Sequence, residues 1–200
     1  MKGLLDEGND VYISKNDNPK RKLKYTLEII KVKKNLIGVN THFANKIAYH
    51  GLSNNLIKEL KNNDSIKPEV FFNKETRFDF LIEKNKQKIF VEVKNVTLFR
   101  NEKIAEFPDS ITSRGSKHLK TLITAVKKGY KAYLLFLIQI EGAEHFKIAK
   151  DIDKEYYNNY LLAKEAGVNF LAYRCKISSK EIKIEKKIKI INEWLFRKIW

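Results

Sequence analysis

The sequence predicts an α/β fold with a mixed central sheet, preceded by a small all-β segment. Three observations carry that prediction. Residues 41–175 alternate between helical and strand-like patterns. The run KAYLLFLIQI at 131–140 is apolar almost throughout, as expected of a strand covered on both faces of its sheet. The first 40 residues carry strand patterns alone. Helices and strands alternating around one central strand make a layered α/β domain. The change of pattern predicts a boundary near residue 40, dividing the chain into 1–40 and 41–200.

VYIS (11–14) and YTLEIIKVK (25–33) read as strands separated by the polar turn KNDNPKRK, which contains Pro19, and LIGVN (36–40) as a third. THFANKIAYHGLSNNLIKEL (41–60) turns helical, with Phe43, Ile47, Leu52, Leu56, Ile57 and Leu60 at helical spacing. Thr41 is the expected N-cap, and Gly51 is expected to split the segment in two. Strands are predicted over 66–72, 76–83 and 88–96. The spacing of Leu119, Leu122, Ile123 and Val126 predicts a helix over 113–129, ended by Gly129. A helix over 154–166 should stop at Gly167, before the strand VNFLAYRCKI (168–177). Trp194, Leu195, Ile199 and Trp200 in the terminal NEWLFRKIW predict a helix packed on the body or on a second copy in a homo-oligomer.

The formal charge of +16, from 40 Lys and Arg against 24 Asp and Glu, points to a polyanionic partner, nucleic acid first. A lysine bias of AT-rich coding would produce the same excess, with many lysines simply solvated. The apolar run AYLLFLIQI (132–140) is too short to span a bilayer, so no membrane partner is expected. The start, MKGLLDEGND, lacks the apolar core of a signal peptide, which predicts a cytoplasmic protein. Cys175 is the single cysteine, which excludes an internal disulfide and a multi-cysteine zinc site.

The chemistry concentrates in FDFLIEKNKQKIFVEVKNVTL (78–98), two strand-like runs joined by the polar turn EKNKQ. Glu92 and Lys94 are two apart and share a face, with Val91 and Val93 on the other. Antiparallel pairing of 77–82 with 89–94 brings Asp79 towards Glu92. Two neighbouring carboxylates repel, and a hard divalent cation, Mg²⁺ or Mn²⁺, is the natural third party. Lys94 would then orient or deprotonate a water, or stabilise charge on a phosphoryl oxygen. The alternative is an ordinary salt bridge on a strand, which an isolated Glu-x-Lys usually is.

Basic residues supply candidate phosphate contacts. Arg114 and Lys117, three apart at the start of the predicted helix, share a face near its N-terminal amides. Lys20, Arg21 and Lys22 lie in the turn of the small β-segment, with Tyr25 beside them. Phosphate contact is the favoured reading of both groups, and solvated surface the alternative. His118 alone reads as a core or supporting histidine rather than a ligand, and Gln139 as either site-facing or an edge amide.

SKNDNPKRKLKYTLEII, VEVKNVTL and FPDSITSRGSKHLKTLI resemble sequence blocks of the sugar fermentation stimulation protein (SfsA) family, over about Gly3 to Ile184. The resemblance implies an OB-like barrel followed by a restriction-endonuclease-like domain, with DNA as partner. It implies an Asp, then Glu-x-Lys, nuclease pattern falling on Asp79, Glu92 and Lys94, with Glu59 as the helix acid completing a metal site. The family's usual leading strands precede the segment matching MKGLLDEG, so an incomplete barrel with unpaired edges is expected. Two functions are compatible: a DNA-binding, Mg²⁺-dependent phosphodiesterase of low sequence preference, and a non-catalytic DNA-binding regulator, one of sugar metabolism if the family name is a guide. No residue set suggests a sugar site. The absence of a helix-turn-helix signature argues against sequence-specific regulation.

Overall fold

The computed structural model describes residues 4–191. The chain opens with strands β1 (Asp10–Lys15), β2 (Tyr25–Val32) and β3 (Asn35–Gly38), followed by helix α1 (Ala44–Ser53). Strands β4 (Ser65–Phe71), β5 (Arg77–Lys84), β6 (Gln87–Val96), β7 (Leu98–Asn101) and β8 (Ile104–Phe107) come next. Helix α2 (Ser113–Lys127), strands β9 (Lys131–Ile138) and β10 (His145–Ile148), and helix α3 (Lys154–Glu165) follow. Strands β11 (Asn169–Ile177), β12 (Ile182–Lys187) and β13 (Lys189–Ile190) complete the described chain.

The central sheet has six strands in the order β12-β11-β9-β6-β5-β4. β9 lies parallel to both β6 and β11, and the remaining neighbours are antiparallel. Its apolar run is explained by the two layers it separates. Leu134, Phe136 and Ile138 join one apolar cluster with Leu119, Leu122, Tyr156 and Tyr160 of α2 and α3. Leu135 and Leu137 join another with Ile47, Ala48 and Leu52 of α1. A second sheet, β13-β10-β8-β7, flanks the α2–α3 layer. The N-terminal strands form a three-stranded antiparallel sheet, β1-β2-β3, rather than a closed barrel among the described residues. It is fastened to the core by the Gly38 N–H donating to Gln139 O at 2.9 Å and Glu141 N–H donating to Leu36 O at 2.9 Å. No described helix is long and apolar enough to cross a membrane.

Several expectations are corrected. The 41–60 helix is shorter, because Asn54 ends α1 and Asn55 takes a left-handed φ of 57°. Thr41 is not its N-cap: Thr41–Phe43 form a 3₁₀ turn, in which the Asn40 side chain accepts the His42 N–H, and α1 begins at Ala44 with no side-chain cap. Gly51 does not split the helix. It lies inside α1, where a Cβ would meet the end of the Ile184 side chain of β12, so the close approach of α1 to β12 favours a residue without one. Gln139 lies neither at an edge nor in the acidic site. It is fully buried at the junction with β3, donating to Asn95 Oδ1 at 2.6 Å. The strands β7, β8, β10, β12 and β13 have no counterpart in the sequence reading. The terminal NEWLFRKIW lies outside the described residues.

Candidate nuclease centre

Asn85 and Lys86 join β5 to β6, both with positive φ (49° and 63°), the signature of a tight two-residue hairpin turn. The turn fixes the register, placing Ile82 opposite Ile89 and Phe80 opposite Val91. β5 remains paired with β4 as far as Arg77, but its ladder to β6 stops at Phe80. At the next position Asp79 replaces the backbone with its side chain. Its Oδ2 accepts the Val93 N–H at 2.7 Å, and its Oδ1 accepts Asn45 Nδ2 of α1, also at 2.7 Å. The carboxylate is thus held between the α1 layer and β6.

Phe90 and Val96 of β6 belong to the α2–α3 cluster, while Val91 and Val93 face α1. Strand alternation therefore sets Glu92 and Lys94 towards α2. Glu92 is 3% exposed. Its Oε1 accepts Lys94 Nζ at 2.6 Å and contacts Nδ1 of His118, with Lys94 Nζ and His118 Nδ1 3.4 Å apart. Its Oε2 is buried and has no hydrogen-bond partner among the described residues. The Tyr156 hydroxyl of α3 is likewise buried without a partner.

These surroundings separate the two acids. Burial, reinforced by the Glu92 charge, pushes the Asp79 carboxyl up to about 6, against the Val93 N–H, Asn45 and Lys94. Burial alone would raise Glu92 too, but the His118 contact and the Lys94 charge outweigh it and hold the carboxyl below its usual range. The Tyr156 phenol is pushed up, first by burial and then by the Glu92 charge.

The donor set fits a hard divalent cation. An anionic oxygen stripped of water and given no donor costs several kcal/mol, on the order expected for buried ions. A cation between Asp79 and Glu92 would satisfy that oxygen and relieve their repulsion. No three His, Cys, Asp or Glu side chains converge on a metal position among the described residues. Waters and substrate oxygens would fill the remaining positions, as is usual for Mg²⁺.

Glu59 does not join the pair. With α1 ending at Ser53, Glu59 falls in a separate 3₁₀ turn (Lys58–Leu60) and turns towards β11 and β12. Tyr173 OH donates to its Oε2 at 2.7 Å and Lys187 Nζ to its Oε1 at 2.6 Å. Lys20, Arg21 and Lys22 are exposed in the β1–β2 connection, where Arg21 donates to Thr26 Oγ1 at 3.0 Å. Arg114 and Lys117 lie on the exposed face of α2, and Lys117 Nζ pairs with Glu75 Oε2 at 2.9 Å.

His118 is the buried, supporting histidine that the sequence suggests, in contact with Glu92 and Lys94. Its signal is positional: it precedes Leu119 and stands four residues before Leu122, on the buried stripe Gly115, His118, Leu119, Leu122 and Ala125. A histidine on that stripe points at the sheet. Asn45 gave no comparable signal, because its partner lies 34 residues away.

Comparison with known proteins supports the layout. The family profile described as SfsA N-terminal OB domain matches residues 1–39, and that described as sugar fermentation stimulation protein RE domain matches residues 42–181. A sugar fermentation stimulation protein homolog of Pelagibacter ubique (strain HTCC1062) is 85% identical over 192 residues, covering 96% of this chain and 83% of the relative. A homolog of the same name from Bartonella henselae is 37% identical, covering 96% of this chain and 82% of the relative. The solved structure of Pyrococcus furiosus SfsA in complex with Ca²⁺ is 27% identical, with a TM-score of 0.86 over 94% of this chain and 80% of that one. The fold is a restriction-endonuclease-like mixed-sheet core preceded by an OB-like β-segment.

Proposed function

This chain belongs to the sugar fermentation stimulation protein family, and from that premise we propose that it binds DNA with little sequence preference and hydrolyses phosphodiester bonds with Mg²⁺ or Mn²⁺. The observation that carries the proposal is the Oε2 of Glu92, buried and without a partner among the described residues, next to a second carboxylate whose charge Glu92 disfavours. The Pyrococcus furiosus relative, solved with Ca²⁺, gives independent support for a divalent cation in this family. We place the division of labour near residue 40, with the N-terminal sheet contributing grip and the α/β core contributing chemistry.

A bound cation supplies Lewis-acid polarisation of a phosphoryl oxygen and lowers the pKa of a bound water. Asp79 and Glu92 hold it, Asp79 being fixed by Asn45 and the Val93 N–H. Lys94, 13% exposed beside Glu92, places a positive charge where phosphoryl charge accumulates. His118 positions both through its ring nitrogen. Lys20, Arg21, Lys22, Arg114 and Lys117 hold backbone phosphates. The exposed Lys117–Glu75 pair is cheap to exchange for a phosphate, since such pairs contribute about 0–1 kcal/mol.

The test pairs a gel shift in EDTA with a cleavage assay in Mg²⁺ or Mn²⁺. Asp79→Asn and Glu92→Gln should abolish cleavage while leaving metal-free binding equal or tighter. Lys94→Ala should weaken binding slightly and cut cleavage by about two orders of magnitude. If about five phosphates are neutralised, log K against log salt should fall with a slope of roughly −4 to −5 on duplex DNA. Carboxylate variants that cut as well as wild type would sink the metal-site assignment. The second reading, a non-cutting DNA-binding regulator, is favoured by one feature: Lys94 and His118 already close Glu92 Oε1 from within the protein. A wild type that binds DNA but cuts nothing with any cation would select it.

A further inference from the structure

A cleft of about 300 Å³ opens beside Asp79, and the acid pair does not explain it. It is lined by Asn45, Lys46 and Tyr49 of α1, Pro68 and Glu69 of β4, and Asp79 and Phe80 of β5, the Glu69 carboxylate being paired with Arg77 Nη2 at 2.6 Å. Tyr49 is 45% exposed, yet its ring sits 6.2 Å from that of Phe80 at an interplanar angle of 33°. Phe80 is 2% exposed, so the tyrosine is backed by the core and turns its remaining surface to the cleft. Lys46 is exposed at the rim, its ammonium 5.2 Å from the Phe43 ring centroid. Asn45 links cleft and centre, lining one and donating to Asp79 in the other.

From this arrangement we infer that the cleft is a stacking site for one unpaired nucleobase, making single-stranded nucleic acid the favoured substrate of the proposed centre. The inference rests on the nuclease reading only in taking Asp79 to lie at the scissile phosphate. An apolar, aromatic-walled cleft next to paired carboxylates, on a chain of net charge +16, suits a ligand that joins a flat apolar face to a phosphate. A nucleotide has both. In a duplex each base face is covered by its neighbours, so only an unpaired or splayed base can lay its face on Tyr49. The cleft, at about 300 Å³, lies at the lower end of the range of small-ligand sites, about 300–1,000 Å³, which is room enough for one base. Lys46 at the rim meets the flanking phosphate.

The test uses single-stranded oligonucleotides carrying 2-aminopurine, whose fluorescence is quenched when the base stacks, and runs in EDTA so that no cleavage intervenes. Wild type and Tyr49→Phe should quench and bind alike. Tyr49→Ala should lose the quench and bind about tenfold more weakly, the scale of one base–aromatic stack. Duplex affinity should be the same for all three proteins. No quench with wild type, full quench with Tyr49→Ala, or an equal loss on duplex would each overturn the stacking site. The two readings fail separately. A Tyr49-dependent quench in a protein that never cuts keeps the stacking site and removes the nuclease, and cutting without the quench does the reverse.

Discussion

Glu106 of β8 and Glu92 of β6 are both buried glutamates facing cations, and they are finished differently. Glu106 is fully buried, and both its oxygens are answered. Arg100 Nε donates to Oε2 at 2.7 Å and Arg100 Nη2 to Oε1 at 2.8 Å, with Lys147 Nζ 3.2 Å from Oε1. Arg100 in turn grips Asp151 at 2.6 and 3.0 Å, so the flanking sheet carries a closed network. Glu92 is almost as deeply buried but half answered, with Lys94 and His118 sharing one oxygen and no described residue on the other. Burial of a charge is therefore common to a structural and a functional reading. The open oxygen separates these two glutamates because it carries charge; the neutral Gln139 Oε1 is also buried without a partner among the described residues, at a smaller cost.

The largest expected effect breaks the closed network. Glu106→Gln should destabilise the protein by about 3–5 kcal/mol, the scale of removing one partner from a buried pair. Glu92→Gln should cost about 1 kcal/mol or less in metal-free protein. It gives up the contacts of Lys94 and His118 that hold the charge, but offsets most of that loss by discarding an unanswered oxygen and relieving Asp79 of a repelling neighbour. Urea unfolding of both variants in EDTA measures the contrast, and equal losses would erase it.

A smaller effect sharpens the open site. If Asp79 and Glu92 take up a divalent cation, the folded state alone binds it. Wild type should then gain about 2.7 kcal/mol at a cation concentration one hundred times its Kd. Asp79→Asn and Glu92→Gln should gain nothing, while an exposed substitution such as Lys117→Ala should gain the full amount. Denaturant titrations with and without Mg²⁺ or Ca²⁺ read this directly. A gain that survives both carboxylate substitutions would place the cation elsewhere.

The parts of this layout legible in the sequence are those fixed by strand period and turn chemistry. The apolar run of β9 announced a strand between two layers, and the polar turn before β6 set the register that brings Asp79 to Glu92. The face shared by Glu92 and Lys94 followed from alternation alone. The illegible parts depend on where distant chain arrives. Strands β7, β8 and β10 are four residues each, too short for a period to declare itself. Gly51 reads as a breaker until Ile184 is seen against it. His118 was visible as a position on a stripe but not as a contact, and the open oxygen of Glu92 is a property of the assembled site.

Glu59 gives the intermediate case and the smallest effect. It is half-buried, its side chain 27% exposed, and both oxygens are partnered, by Tyr173 and Lys187. Burial acts to raise its carboxyl, but hydrogen bonds from Lys187 and Tyr173 outweigh this and hold it below its usual value. An acid whose folded-state pKa is depressed contributes stability above its unfolded pKa, and that contribution disappears as pH falls through the folded value. The stability difference between wild type and Glu59→Gln should therefore be constant from about pH 6 to 8 and shrink below about pH 4.3, the ordinary glutamate value. Exposure and salt screening keep it under about 1 kcal/mol, as for partly exposed ion pairs. Divalent cations should leave it unchanged, because neither oxygen is open to them. A Glu59→Gln protein that loses its cation-dependent stabilisation would return this carboxylate to the metal site, and would collapse the distinction between an acid that is answered and one that waits for a ligand.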